Sequence, residues 1–130
     1  MLKRKVDDYL IQWKNNPDRL PLVIKGARQI GKTFSVRNFA KNYKNYIEIN
    51  FITDPQFKTI FKNGYSPESI IKEITLLRPD WEFIPNETLI LFDEIQVFPD
   101  CTTCLKFFKL DGKYDVICSG SLLGINYNQI

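Results

Sequence analysis

The amino-acid sequence predicts an α/β fold in which helices cover both faces of a parallel β-sheet. Helical and strand patterns alternate along the 130 residues, beginning with a helix and ending with a strand. The strand patterns are continuous apolar runs, which are typical of parallel strands buried on both sides. We therefore expect one domain, residues 1–130, with a sheet of about four strands flanked by helices in three layers.

The first half of the chain contains two helix patterns and two strand patterns. An amphipathic helix is predicted over residues 1–16 and must end before Pro17, which cannot continue the hydrogen-bond ladder. The apolar run Leu22–Lys25 predicts a buried strand, and Tyr46–Phe51 predicts a second one. Between these strands, apolar residues recur at helical spacing after a loop that contains glycine. They are Val36, Phe39, Ala40 and Tyr43.

The second half contains three helix patterns and two strand patterns. Ser66 can cap one of the helices through its hydroxyl, and Pro67 after it suits the first helical position. The helices are predicted over Pro55–Gly64, from Ser66 to Pro79, and over Pro99–Leu110, and the strands over Thr88–Glu94 and Tyr114–Ser121.

The composition excludes several classes of chemistry. The chain has no histidine, which excludes a Ser-His or Cys-His triad and a histidine-ligated metal within it.

A net charge of +3 does not by itself support a nucleic-acid partner. No apolar run approaches the roughly 18 residues of a membrane span, so we expect no membrane partner. The N-terminus lacks a secretory signal pattern, and the odd count of cysteines indicates free thiols, so we expect a cytoplasmic location.

Two of the three cysteines form a C-x-x-C pair that has two interpretations. Cys101 and Cys104 could bind a metal or act as a redox pair, but a zinc site needs four ligands and only Cys118 remains. On a helix, both cysteines share one face with Leu105 and Phe108. We therefore expect the pair to belong to the core.

The segment Gly26–Thr33, with the sequence GARQIGKT, is the main candidate for a binding site. It matches the pattern G-x-x-x-x-G-K-[ST] and lies between a predicted strand and a predicted helix, as this phosphate-binding motif requires. Its glycines let backbone N–H groups face a phosphate chain at the start of a helix. We expect Lys32 to contact the β- and γ-phosphates and Thr33 to bind Mg²⁺. The alternative is a strand-to-helix turn that binds nothing.

Nine consecutive residues are expected to contact the nucleotide. The motif leaves Arg28 and Gln29 free, so these two side chains could contact the nucleotide or a neighbouring element. The nine are Gly26, Ala27, Arg28, Gln29, Ile30, Gly31, Lys32, Thr33 and Phe34.

Polar side chains at the ends of the third and fourth strands complete the candidate site. The carboxyl ends of parallel strands meet at one edge of the sheet, which is where phosphates bind. We expect Asp93 to hold Mg²⁺ through water and Glu94 to orient and activate the attacking water. Ser119 is the candidate for contact with the γ-phosphate or this water, and Ser121 competes with it. A solvated turn is the alternative for the two carboxylates.

The segments GARQIGKT, LILFDEIQ and VICSGSLLG together resemble the AAA-type P-loop ATPases, in particular a prokaryotic family with a variable, poorly characterised C-terminal domain. The resemblance covers nearly the whole chain. It implies a P-loop NTPase core that binds ATP with Mg²⁺ and hydrolyses it with the carboxylate of Glu94. By the same resemblance Lys32 and Ser119 are the other catalytic residues, the latter as a polar sensor, and Thr33 and Asp93 are the metal contacts. The phosphate-loop strand should be central, with the fourth strand between it and the third.

The resemblance also implies parts that we do not find in the sequence. Members of the family continue with a fifth strand, a helical lid and an arginine finger, and no arginine here stands where a finger would. We therefore expect a truncated N-terminal ATPase core, without the fifth strand and lid. Because an arginine finger contributes about 10³ to 10⁵ in turnover, we expect weak nucleotide binding and slow or no hydrolysis.

Other functions stay open at this point. The chain could be a nucleotide-binding interaction module that does not hydrolyse, or a small-molecule kinase. A GTPase is disfavoured because no N-K-x-D motif is present. In the full-length form, the resemblance allows a homo-oligomer.

Overall fold

The computed structural model describes residues 5–26 and 30–121, and all structural statements refer to these residues. They form helices and strands that alternate as the sequence predicts. The helices are α1 (Lys5–Asn15), α2 (Ile30–Phe39), α3 (Pro67–Leu77) and α4 (Leu105–Asp111). The strands are β1 (Leu22–Gly26), β2 (Asn45–Asn50), β3 (Thr88–Asp93) and β4 (Asp115–Ser121).

The four strands form one parallel sheet in the order β1-β4-β3-β2. This confirms the predicted α/β fold class, and β4 lies between β1 and β3 as expected. The expectation that the phosphate-loop strand is central is not met among the described residues, because β4 is the only strand there that pairs with β1. In the register of the sheet, Ser119 lies between Ile24 and Asp93.

Helices cover both faces of the sheet, because the strands carry apolar side chains on both sides. On one face, α1 and α2 bury Leu10 and Phe39 against strand residues such as Leu91. On the other face, α3 and α4 bury Ile74 and Phe108 in a second core cluster. Every residue of β3 is buried, as expected for an inner strand of a three-layer fold.

Two segments predicted as helices contain 3₁₀-helix. Pro55–Phe61 is 3₁₀-helical throughout, and the predicted helix from Pro99 begins as the 3₁₀-helix Pro99–Cys104 before α4 continues. A 3₁₀-helix has three residues per turn, so it places residues i and i+3 on one side. Cys101 and Cys104 are therefore both buried, which confirms that they are core side chains.

The ends of two helices agree with the capping residues in the sequence. The Ser66 hydroxyl accepts a hydrogen bond of 3.2 Å from the backbone N–H of Ser69 at the start of α3. Gly112, with φ of +69°, follows α4 in the left-handed conformation that glycine adopts without strain. No helix in the described residues is long and apolar enough to cross a membrane.

Candidate functional site

The candidate site lies where β1, β3 and β4 end and α2 begins. β1 ends at Gly26 and α2 begins at Ile30, so the motif lies between a strand and a helix as it requires. The first backbone N–H groups of an α-helix have no partner within the helix, and they carry its positive dipole end. The start of α2 therefore offers donors to an anion at this edge of the sheet.

Several predicted contacts of the phosphate loop fall outside the described part of the chain. These are the contacts of Ala27, Arg28 and Gln29, and those of the side chains of Ile30 and Lys32. Gly31 and Lys32 are described as backbone within the first turn of α2. Phe34, the last of the nine predicted nucleotide contacts, is 45% exposed and follows Thr33 on this helix.

The structure brings Thr33 and Asp93 together, although they are 60 residues apart in the chain. The Thr33 hydroxyl donates a long hydrogen bond of 3.3 Å to Oδ2 of Asp93. Oδ1 of Asp93 accepts a hydrogen bond of 2.9 Å from the backbone N–H of Glu94. The Asp93 side chain is only 3% exposed, and this burial raises the pKa of its carboxyl above the ordinary value.

The two facing oxygens have the chemistry and the spacing of a magnesium site. Mg²⁺ prefers hydroxyl, carboxylate and water oxygens at about 2.0–2.1 Å in an octahedron, where neighbouring ligands are about 3 Å apart. The oxygens of Thr33 and Asp93 are 3.3 Å apart, close to that spacing. These two side chains therefore fit the ion that the resemblance implies.

Glu94 has a backbone conformation that is rare for a residue with a side chain. Its φ of 59° and ψ of 46° lie in the left-handed region. The chain turns sharply there, from the end of β3 into the short 3₁₀ turn Ile95–Val97. The half-buried Glu94 side chain accepts a hydrogen bond of 2.8 Å from Nε2 of Gln96. A strained backbone held by its surroundings is a frequent feature of functional sites.

Gln96 is not among the site residues that the sequence predicts. In addition to its contact with Glu94, its Oε1 accepts a hydrogen bond of 3.1 Å from the backbone N–H of Ser121 at the end of β4. Gly120 leaves room for this contact, since a Cβ there would lie 2.9 Å from Cγ1 of Ile95 and 3.1 Å from Oε1 of Gln96. The only feature of the sequence that could have indicated this contact is that Gln96 follows Glu94 by two residues.

The two candidate serines have different surroundings. Ser119 is fully buried, and its Oγ has no hydrogen-bond partner among the described residues. Its Cα pairs with that of Asp93, so both side chains are on the same face of the sheet. A buried hydroxyl without a partner is costly unless a ligand or water satisfies it. Ser121 is half-buried and contributes its backbone N–H to the Gln96 contact.

An ion pair connects α2 to the outer strand of the sheet, one turn after Thr33. Nε and Nη2 of Arg37 donate hydrogen bonds of 2.9 and 2.7 Å to the two carboxylate oxygens of Glu48 on β2. The Tyr46 hydroxyl donates to the same carboxylate at 2.7 Å. The hydrogen bond from Arg37 is the main reason that the pKa of Glu48 is below its ordinary value. This pair helps to fix the side of α2 that carries Thr33.

Comparisons with known proteins identify the family of this chain. A family model described as an AAA domain matches residues 18–130. Among solved structures, the chain matches PCH-2 of C. elegans with 15% identity and a TM-score of 0.47, over 92% of this chain and 37% of that one. The chain thus spans well under half the length of that structure, and a search of curated proteins found no match. Because the family match covers most of the sequence, the protein belongs to the AAA domain family, and it is a nucleotide-binding P-loop core of the AAA ATPase type.

Proposed function

We propose that the protein binds ATP together with Mg²⁺ and hydrolyses it, with water as the acceptor of the phosphoryl group. The observation that carries this proposal is the contact between Thr33 and Asp93, which joins the phosphate loop to the end of β3. Both residues offer oxygen ligands, and the positive end of α2 is next to them. A buried carboxylate is costly unless its charge is balanced, and a cation beside Thr33 and Asp93 would balance it.

Each residue of the site then has a distinct role. Thr33 and Asp93 hold Mg²⁺, the second directly or through water, and Lys32 in the same helical turn contacts the β- and γ-phosphates. When bound, Mg²⁺ neutralises negative charge on the phosphates. Glu94 orients the attacking water and accepts its proton. The hydroxyl of Ser119, which needs a partner, contacts the γ-phosphate or this water.

The test compares wild-type protein with Glu94→Gln, using the full 130-residue chain. Calorimetric titration measures the affinity for ATP and for GTP, each with and without Mg²⁺. Phosphate release is measured with protein in excess over ATP, so that slow turnover is still detected. Glu68→Gln serves as the matched control, since Glu68 is exposed in the first turn of α3.

We expect Glu94→Gln to bind Mg-ATP within about two-fold of wild type and to release phosphate at least ten-fold more slowly, because the base is lost. The control should match wild type in both measurements. A non-hydrolysing binding module would give equal release from both proteins, at the level of the blank. If ATP does not bind, the proposed function is wrong. If ATP binds equally well in EDTA, the assignment of Thr33 and Asp93 to the metal is wrong.

A further inference from the structure

We propose that Gln96 is a positioning residue that fixes the carboxylate of Glu94 to the end of β4. This inference rests on the proposed function, in which Glu94 orients the attacking water. Two hydrogen bonds carry it. Nε2 of Gln96 donates to Oε1 of Glu94 at 2.8 Å, and Oε1 of Gln96 accepts from the backbone N–H of Ser121 at 3.1 Å.

The chemistry of the two partners fixes the orientation of the Gln96 amide. A carboxylate only accepts hydrogen bonds and a backbone N–H only donates. The opposite orientation would set the amide oxygen against the carboxylate of Glu94 and the NH₂ group against the N–H of Ser121. Both contacts would be repulsive, so the amide has one favourable orientation and holds the carboxylate in one place.

The residues around Gln96 hold its side chain between Glu94 and Ser121. Ile95 is buried and anchors the turn from the core side, while Gly120 lets the turn approach β4 closely. Any larger residue at position 120 would contact Ile95 or the Gln96 side chain directly. The left-handed backbone of Glu94 sets the direction in which its side chain leaves the strand.

This arrangement connects Glu94 to the strand that carries Ser119. Ser121 follows Ser119 by two residues on β4, so one strand end determines the position of both polar groups. A displacement of that strand end would move the Ser119 hydroxyl and, through Gln96, the Glu94 carboxylate. Because small misplacements of a catalytic group can reduce turnover by up to about 100-fold, we expect Gln96 to affect turnover rather than nucleotide affinity.

The main variant is Gln96→Met, which keeps the length of the side chain but removes both hydrogen bonds. Gln12→Met is the control, since Gln12 is exposed on α1. Amide hydrogen exchange at Ser121 and the side-chain carboxyl resonance of Glu94 are followed by NMR. The same proteins are then assayed for ATP affinity and for phosphate release.

In Gln96→Met, we expect exchange at Ser121 to accelerate at least five-fold and the Glu94 carboxyl resonance to shift. ATP affinity should stay within two-fold while phosphate release slows by about 10- to 100-fold. The control should match wild type throughout. Unchanged exchange at Ser121 overturns the proposal. Where the wild-type protein releases phosphate, unchanged turnover, or a loss of ATP affinity as large as the loss of turnover, also overturns it.

A second variant, Gly120→Ala, keeps the glutamine but crowds it. We expect the same pattern, with loss of turnover at constant affinity, while the amides of β3 stay protected from exchange. If this variant is fully active, the proposal fails even where Gln96→Met does not fold. If wild-type protein releases no phosphate but the NMR changes occur as expected, the proposed hydrolysis is wrong and the connection between Glu94 and β4 still holds.

Discussion

Replacement of Glu94 by glycine is expected to give a more stable protein than replacement by alanine. With φ of 59° and ψ of 46°, the position is in the left-handed region, which costs a residue with a Cβ about 1–2 kcal/mol and costs glycine nothing. Glycine loses about 0.4–1 kcal/mol through the greater freedom of its unfolded chain. The difference should therefore be about 1 kcal/mol in favour of glycine.

The comparison isolates the backbone because both variants remove the same carboxylate. Gln96 loses its partner in each, so this cost cancels. Urea unfolding at 25 °C measures the free energy of unfolding of the two proteins, and 1 kcal/mol corresponds to a factor of about five in the folded-to-unfolded ratio. The control is the same pair of substitutions at Lys72, an exposed position inside α3. There alanine should be the more stable by about 1 kcal/mol.

A Glu94→Ala variant as stable as Glu94→Gly, or more stable, would refute the cost assigned to the left-handed backbone at this position. Such a result would mean that the backbone at Glu94 is not strained in solution. If Glu94→Gly is the more stable variant, in contrast to the pair at Lys72, the protein keeps a carboxylate at a position where glycine would give the less strained backbone. A cost of this kind is typical of positions kept for function.

Three further predictions concern other parts of the fold. Phe108→Ala should lower the free energy of unfolding by about 3–5 kcal/mol, because Phe108 is 1% exposed. Calorimetric melting would measure this loss, and a loss below about 1 kcal/mol would contradict the packing of Phe108. Burial and a hydrogen bond to Asp115 raise the pKa of Tyr43 above its ordinary value of 10.0. The free energy of unfolding that Tyr43 contributes by staying neutral in the folded protein is thus fully present below pH 10. It declines as the pH rises further, by up to about 1.4 kcal/mol per pH unit. In urea titrations at pH 9 to 11, the free energy of unfolding of Tyr43→Phe should therefore fall less steeply with pH than that of wild type. Equal pH slopes in the two proteins would contradict the raised pKa of Tyr43. Glu48→Gln should lower the free energy of unfolding by less than about 1 kcal/mol at low salt, because the partner Arg37 is largely exposed. This loss should shrink in about 1 M NaCl, and a loss that does not depend on salt would argue against the ion pair.

Much of the fold follows from local patterns in the sequence. Continuous apolar runs such as Thr88–Asp93 specify buried strands, and the motif spacing locates β1 and α2 on either side of the loop. The 3₁₀-helix at Pro55–Phe61 could not be told from an α-helix, because both place residues three apart on one side. Apolar periodicity reports burial there but not the pitch of the helix.

The finer features of the site depend on contacts between distant segments. The positive φ of Glu94 has no local signal, since glutamate rarely adopts it. The role of Gln96 depends on Ser121, which is 25 residues away and is brought close by strand pairing. Likewise, Arg37 and Glu48 appear in the sequence as ordinary surface charges, and only the packing of α2 on β2 joins them. The sequence motifs therefore single out Thr33 and Asp93, which the structure brings into contact, but not the residues that hold the candidate site in place.

The strand order has a consequence for how the protein is assembled during synthesis. Among the described strands β1 is synthesised first and its partner β4 last, so Leu22 can pair with Ile117 only after β2 and β3 have been made. β2 and β3 can pair with each other before then. The phosphate-loop motif follows β1, so within the described sheet the candidate site cannot form before β4 has been synthesised.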